Sequence, residues 1–486
     1  MSGSNKLMRG TVVLTLGRLV GYGLSFLRNL ILARMLAKAD YGLAAVFAMA
    51  TTLLEVSGSM AYGVQVVQSK YGDASGFQGS AHVLQFLGGL CSAMLLVGMS
   101  VPMAHLFKVP HASWAFALLA VVPLSQGLCH LDISRRQREL DYLPLVLMDV
   151  VPQLLITAAV WPLALWVRDY RVIVWLMIGK AVLGLSMTFF LAQRPYRWAW
   201  EREHIRSMLS FGWPLLLTGL LMFGSGQVDQ VLVGAVFSLS ELASYALAAS
   251  IVSIPWFIIG QAGSSLILPV MSRAQDDPER FRQQYRVCAD AAAVIGVVVT
   301  LPLIVVGEQL VTLLYGGKYL GTGVFMGVLG AGAALRFLRF ASTVAATARA
   351  DTLNHLYSNL WRGAGVSVAL VVVALGGKSV QIAACTIVAE VLAVVVSMVR
   401  LWRHQGIRLQ DNYRATAYVI TLVSIELGFA LIGGAKWSIW SAGAVAIVMF
   451  MFALGTAWLL FPEIGRLVIQ AVRRGAPVGV GQTAAT

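Results

Sequence analysis

The chain has 486 residues, 58% of them hydrophobic and 12% charged, with a mean hydropathy of +0.77. That is too apolar for a soluble globule and reads as a polytopic membrane protein. The formal net charge of +14 would suit nucleic acid, but the basic residues lie between apolar runs, which excludes that partner.

Continuous runs of about twenty apolar residues call for helices, since transmembrane barrel strands are half that length and alternate. Fourteen candidate spans follow in order. The first six are Thr11 to Leu36, Tyr41 to Gln68, Gly79 to Val101, Ala112 to Leu131, Tyr142 to Val167 and Val172 to Gln193. After a basic loop come Ser207 to Phe237, Leu242 to Leu268, Val287 to Leu314, Gly321 to Thr347, Thr352 to Leu375 and Val380 to Leu401. A final pair covers Ala415 to Gly433 and Trp437 to Phe461. The first run is too long for a cleavable signal. Loops carrying Arg135, Arg136, Arg138, Arg194, Arg197, Arg202 and Arg206 fall on one side, and the sparser Lys38, Lys108, Arg168 and Arg171 on the other. By the positive-inside rule both termini are cytoplasmic. Residues 463–486 form a cytoplasmic tail, expected to be disordered from Gly475 on.

The first span carries charge that lipid would not tolerate. At 100° per residue Arg18, Tyr22, Ser25 and Asn29 share a face, with Arg28 on its flank. A shift of 200 residues maps that face onto Thr218, Met222, Ser225 and Asp229 of the seventh span. This echo predicts two six-helix lobes, 1–200 and 201–406, related by a parallel pseudo-two-fold, plus an extra helix pair at 407–462. A solute pathway between such lobes would be walled by the two polar faces, and access would alternate by rocking.

Other charges lie within spans: Glu55, Asp149, Lys180, Asp229, Arg336, Arg339, Arg362, Glu390 and Glu426. Lys180 and Glu390 occupy matching positions in the sixth and twelfth spans, so they either pair within the protein and fix helix register or join the cavity charge. Asp149 and Arg362 stand under the same two readings. Glu426, outside both repeats, reads as structural or lipid-edge. Arg336 and Arg339 share a helical face with no acid within a turn, and arginine cannot shed its proton. The surplus of cations points to an anionic substrate, and guanidinium forks suit phosphate. Glu55 and Asp229 are the candidates for proton or sodium coupling.

Other searches are negative. There is no P-loop and no HExxH, no catalytic residue or metal ligand is assigned, and no cofactor is implied. The glycines at 21, 23, 224 and 226 read as close helix packing. The seven histidines and four cysteines form no cluster in sequence.

The stretch LARMLAKADYGL, Leu32 to Leu43, resembles the first-loop signature of bacterial polysaccharide flippases of the multidrug/oligosaccharidyl-lipid/polysaccharide exporter superfamily. FGWPLL from Phe211, Asp229, Ser244 with Tyr245, and PVMSR from Pro269 extend the resemblance through the second half. It implies translocation of an undecaprenyl-pyrophosphate-linked oligosaccharide across the bacterial inner membrane, for O-antigen, capsule or exopolysaccharide synthesis. It also implies a cationic cavity, to which Arg18 and Arg28 match by span and Arg336 and Arg339 more distantly. Membrane lipids, a polysaccharide polymerase and chain-length proteins would be the neighbours. A lipid II flippase and a multidrug antiporter of the same superfamily are the alternatives, the antiporter disfavoured by the arginine surplus. A polymerase or ligase would need a substantial outer loop, and none of the outer loops is long.

Overall fold

The computed structural model describes residues 3–58, 60–433 and 437–464. The expected tail lies outside the described residues beyond 464. No strand occurs among those described. The helices are α1 (Gly3–Met35), α2 (Lys38–Gly58), α3 (Tyr62–Gln68), α4 (Ser75–Leu106), α5 (Ser113–Leu118), α6 (Val121–Gly127), α7 (Asp132–Arg138), α8 (Leu143–Val167) and α9 (Arg171–Leu191). They continue as α10 (Arg202–Val236), α11 (Leu239–Ser272), α12 (Pro278–Val305), α13 (Gly307–Tyr315), α14 (Thr322–Ala348), α15 (Thr352–Ala374), α16 (Ser379–Gln405), α17 (Tyr413–Gly433) and α18 (Ile439–Leu460).

Twelve of the described helices are long and apolar enough to cross a bilayer, or thirteen spans if one bent pair is a single crossing. Helix α1, 33 residues long, covers the first expected span and stands outside that set, which rests on the described residues alone. Three expected spans are interrupted. The second divides at Ala61, whose φ of 53° leaves the helical region. The fourth is the bent one: Pro110–Gly127 and Asp132–Arg138 meet at 44°. The Gln85 side chain reaches across from α4 to the bend and donates to the carbonyls of Gln126 at 2.8 Å and Cys129 at 3.0 Å, so the freed backbone groups keep partners. The ninth stops at Val305, past Pro302, and restarts as the short α13.

Two compact units emerge, Met1–Gln227 with Gly234–Ala243, and Val228–Val233 with Ser244–Thr486. Within the first, α4 packs on α2, α5 and α6, and α8 on α1 and α9. Within the second, α14 is the axis, packed on α12, α13, α15, α16 and α17. Its N-terminus is anchored by the buried Glu308 of α13, whose carboxylate accepts from the Gly321 and Gly323 amides, negative charge at the positive end of the helix dipole. Gly321 turns the chain there at φ +88°, a conformation that favours glycine. Asp277 caps α12 by accepting from the Glu279 and Arg280 amides, with Pro278 pre-set for the first turn.

Helices α17 and α18 share the core of the second unit through Tyr418, Leu422, Met449 and Phe461. Glu426 on α17 is only 1% exposed, which removes the lipid-edge reading. Neither of its carboxyl oxygens has a hydrogen-bond partner among the described residues. The histidines are not all isolated. His82 of α4 and His130, between α6 and α7, lie 5.1 Å apart, and Tyr196 stacks on His82 at 4.1 Å. Burial pushes the Tyr196 phenol up to about 12.

Candidate functional site

In the first unit α1 leans on α8 along a glycine edge. A Cβ at Gly10 would strike Tyr142, and one at Gly17 would strike Val146. Gly21 has room for ordinary contact with Asp149, and Gly23, Gly224 and Gly226 meet nothing, so the close-packing glycines of α1 are mainly the earlier two. Arg28 is half-buried; it donates to the Gln153 amide oxygen at 3.5 Å and to that of Asn29 at 3.4 Å. Ser25 and Asn29 are half-buried beside it, while Arg18 and Tyr22 are exposed. Asp149 of α8 pairs with Lys180 of α9 at 3.6 Å. Glu55 of α2 accepts from the Gln126 amide at 2.7 Å and lies in electrostatic reach of Lys180. The residues read from sequence as stripe, acid and register charge therefore converge on neighbouring helices of one unit, with Gln126 and Gln153 as polar partners that the charge pattern alone did not single out.

In the second unit one carboxylate gathers three arginines. Glu390 of α16 is 1% exposed; its Oε1 faces Arg336 Nε at 2.9 Å and Arg362 Nε at 3.0 Å, and its Oε2 faces Arg339 Nε at 3.3 Å. The acid that Arg336 and Arg339 lack on their own helix comes from α16, and the pairing of Lys180 is with Asp149. The Arg339 Nη1 also reaches Ser358 Oγ at 3.3 Å and Asn359 Oδ1 at 3.5 Å on α15. Asp229, on the segment of α10 belonging to this unit, accepts from the Tyr245 hydroxyl and from the Gln230 amide, and lies in electrostatic reach of Arg362 and Arg336. Three guanidiniums against Glu390 and Asp229 leave the cluster net positive. Such an assembly can hold an anion without proton transfer, because arginine stays charged.

The Tyr41 and Gly42 step has a structural reason. A Cβ at Gly42 would run into the Leu239 carbonyl at the start of α11, so only glycine fits there.

The polysaccharide biosynthesis protein family matches residues 31–323, more than half of the chain. The match holds Glu55, Asp149, Lys180 and Asp229, and ends before Arg336, Arg339, Arg362 and Glu390. The succinoglycan biosynthesis transport protein ExoT of Rhizobium meliloti (strain 1021) is 19% identical over 316 residues, 63% of this chain, and the chain spans 62% of that relative's length. Among solved structures, the lipid II flippase MurJ in its inward closed conformation superposes with a TM-score of 0.70 at 13% identity, covering 93% of this chain and 99% of that one. An inward-facing multidrug resistance MATE family transporter of the MOP superfamily gives 0.60 at 12% identity, covering 82% and 99%. The matched proteins are transporters and flippases rather than enzymes. This multi-pass helical membrane protein belongs to the polysaccharide biosynthesis protein family and has the fold of the MOP exporters.

Proposed function

We propose that the protein is a flippase for undecaprenyl-pyrophosphate-linked oligosaccharide repeat units, moving them across the bacterial inner membrane for O-antigen, capsule or exopolysaccharide synthesis. The observation that carries the reading is the cluster of Arg336, Arg339 and Arg362 around one buried carboxylate, in a chain of this family. A pyrophosphate headgroup carries the charge such a cluster lacks, and guanidinium forks bind phosphate bidentately. Arg18, Tyr22, Ser25, Arg28 and Asn29 are the proposed contacts of the first lobe, and Arg336 and Arg339 those of the second. The lobes at 1–200 and 201–406 alternate access, with both termini cytoplasmic, and Glu55 and Asp229 couple the cycle to a proton or sodium gradient.

The test is complementation of a flippase deletion with the wild-type gene and with Arg18→Ala, Arg28→Ala and Arg336→Gln, followed by identification of the lipid-linked intermediate. Wild type restores surface polysaccharide; each variant, at normal protein level, loses at least tenfold and accumulates the undecaprenyl-linked precursor. Normal polysaccharide in all three variants removes the arginine assignment. Failure of the wild type in every polysaccharide background, with rescue of a lipid II flippase deletion, replaces the substrate.

A further inference from the structure

Away from the spanning charges, a cavity of about 330 Å³ opens at the ends of three helices of the second unit. It is walled by the first turn of α12 (Pro278, Phe281, Arg282), by Arg349 just past α14, and by His404 and Gln405 at the end of α16. The volume suits a small headgroup or ion.

Its walls are cationic and under-satisfied. Arg349 donates to the Gln405 carbonyl at 2.8 Å and lies over the Phe281 ring at 3.9 Å, which holds the guanidinium plane in place. Its Nε has no hydrogen-bond partner among the described residues, and neither has the Nε of Arg282 nor either atom of the Gln405 amide. The acids nearby are committed or distant. Asp411 accepts from Arg286 and from the Arg408 amide and is shared with Arg282 as an ion pair at 3.6 Å, too long for a hydrogen bond. Asp276 acts on Arg349 only through its field, and Asp277 is spent capping α12. Burial pulls the Arg349 guanidinium below its ordinary value, and the field of Asp276 offsets only part of that.

We propose that this pocket is a phosphate-binding site, separate from the Arg336 cluster, in which Arg282 and Arg349 grip a phosphate group and His404 closes the open side. Two planar guanidiniums, that of Arg349 lying over the Phe281 ring, match tetrahedral oxyanion recognition better than an ammonium ligand, which they would repel. The phosphate arrives either on an anionic lipid headgroup, since basic pockets at helix ends take such heads, or as a soluble phosphate.

Purified full-length protein separates the sources. Native mass spectrometry after exchange into phosphatidylglycerol-containing micelles reads retained lipid, and thermal unfolding with added inorganic phosphate reads the soluble ion. Wild type should retain the lipid or gain several degrees with phosphate. Arg282→Gln should reduce either effect at least fivefold, Arg349→Lys should weaken it less, and Arg336→Gln should leave it unchanged. Lipid retention supports the headgroup, and a phosphate shift without retention supports the free ion. No effect in either arm overturns the site, as does an effect lost in Arg336→Gln and kept in Arg282→Gln. Arg282→Gln touches no helix cap, and Arg349→Lys keeps the charge, so a folded variant is available.

Discussion

At the scale of single residues, Glu390 and its arginines are unequal partners. Removing the carboxylate leaves three guanidiniums facing one another in a site where Glu390 is 1% exposed and the Arg339 side chain 7%. Losing one partner of a buried ion pair costs about 3–5 kcal/mol because the survivor stays uncompensated. Removing Arg336 instead takes one hydrogen bond from Glu390 but leaves it ion-paired with Arg339 and Arg362. Glu390→Gln is therefore expected to lower thermal stability in detergent steeply, while Arg336→Gln stays within about 1 kcal/mol of wild type in stability. Fluorescence-detected size exclusion after heating checks both, and equal losses would show that the cluster is a structural lattice rather than one carboxylate holding spare cations. The sequence exposed the arginines, because a charge inside a span is conspicuous, but not their partner. Arg336 and Glu390 are far apart in the chain, and only the packing of α14 on α16 joins them.

At the scale of elements, the linker between α9 and α10 is pinned by two histidines. His82 Nε2 accepts from the Leu131 amide at 3.1 Å while Nδ1 donates to the Arg197 carbonyl at 3.0 Å. His130 Nδ1 accepts from the Asp132 amide at 3.1 Å while Nε2 donates to the Arg194 carbonyl at 2.9 Å. Each ring must be a neutral tautomer to do both, one nitrogen bare and one protonated. His82→Phe keeps the stack on Tyr196 and deletes both bonds, stranding two backbone groups at roughly 1–3 kcal/mol each if they stay dry. The expected result is trypsin cleavage after Arg197 that rises severalfold over wild type; an unchanged cleavage rate would mean the linker is held by its other contacts, such as Arg194 to the Asp73 carbonyl. Helix positions were legible from hydropathy because lipid forces long apolar runs. The breaks at Ala61, in the fourth span and at Val305 were not, since a Gln85 side chain or a short α13 that repairs the backbone bonding leaves no mark in composition.

At the scale of the whole molecule, coupling the proposed transport to a proton gradient needs a group whose charge changes during the cycle, and the arginines cannot supply it. Glu55 is fastened to Gln126 and lies near Lys180, so its field is already answered within its own unit. Asp229 is placed differently: its carboxylate takes the Tyr245 hydroxyl and feels Arg362 and Arg336, so protonating it would raise the positive charge of the cluster and ionising it would lower it. A proton on Asp229 would thus favour the substrate-loaded state, and its loss would favour release, a reciprocal coupling between two sites. Asp229→Asn is the discriminating change. The amide oxygen can still accept from Tyr245, so the fold is expected to persist with stability altered by no more than about 1 kcal/mol, while the titrating charge is gone. Export by this variant in membrane vesicles should fall at least tenfold under an imposed gradient and become indifferent to its collapse by an ionophore. Wild-type dependence on the gradient, retained in Asp229→Asn, would move the coupling to another acid. Glu55 is then the next to test, and Glu426 of α17, which has no hydrogen-bond partner among the described residues, follows it.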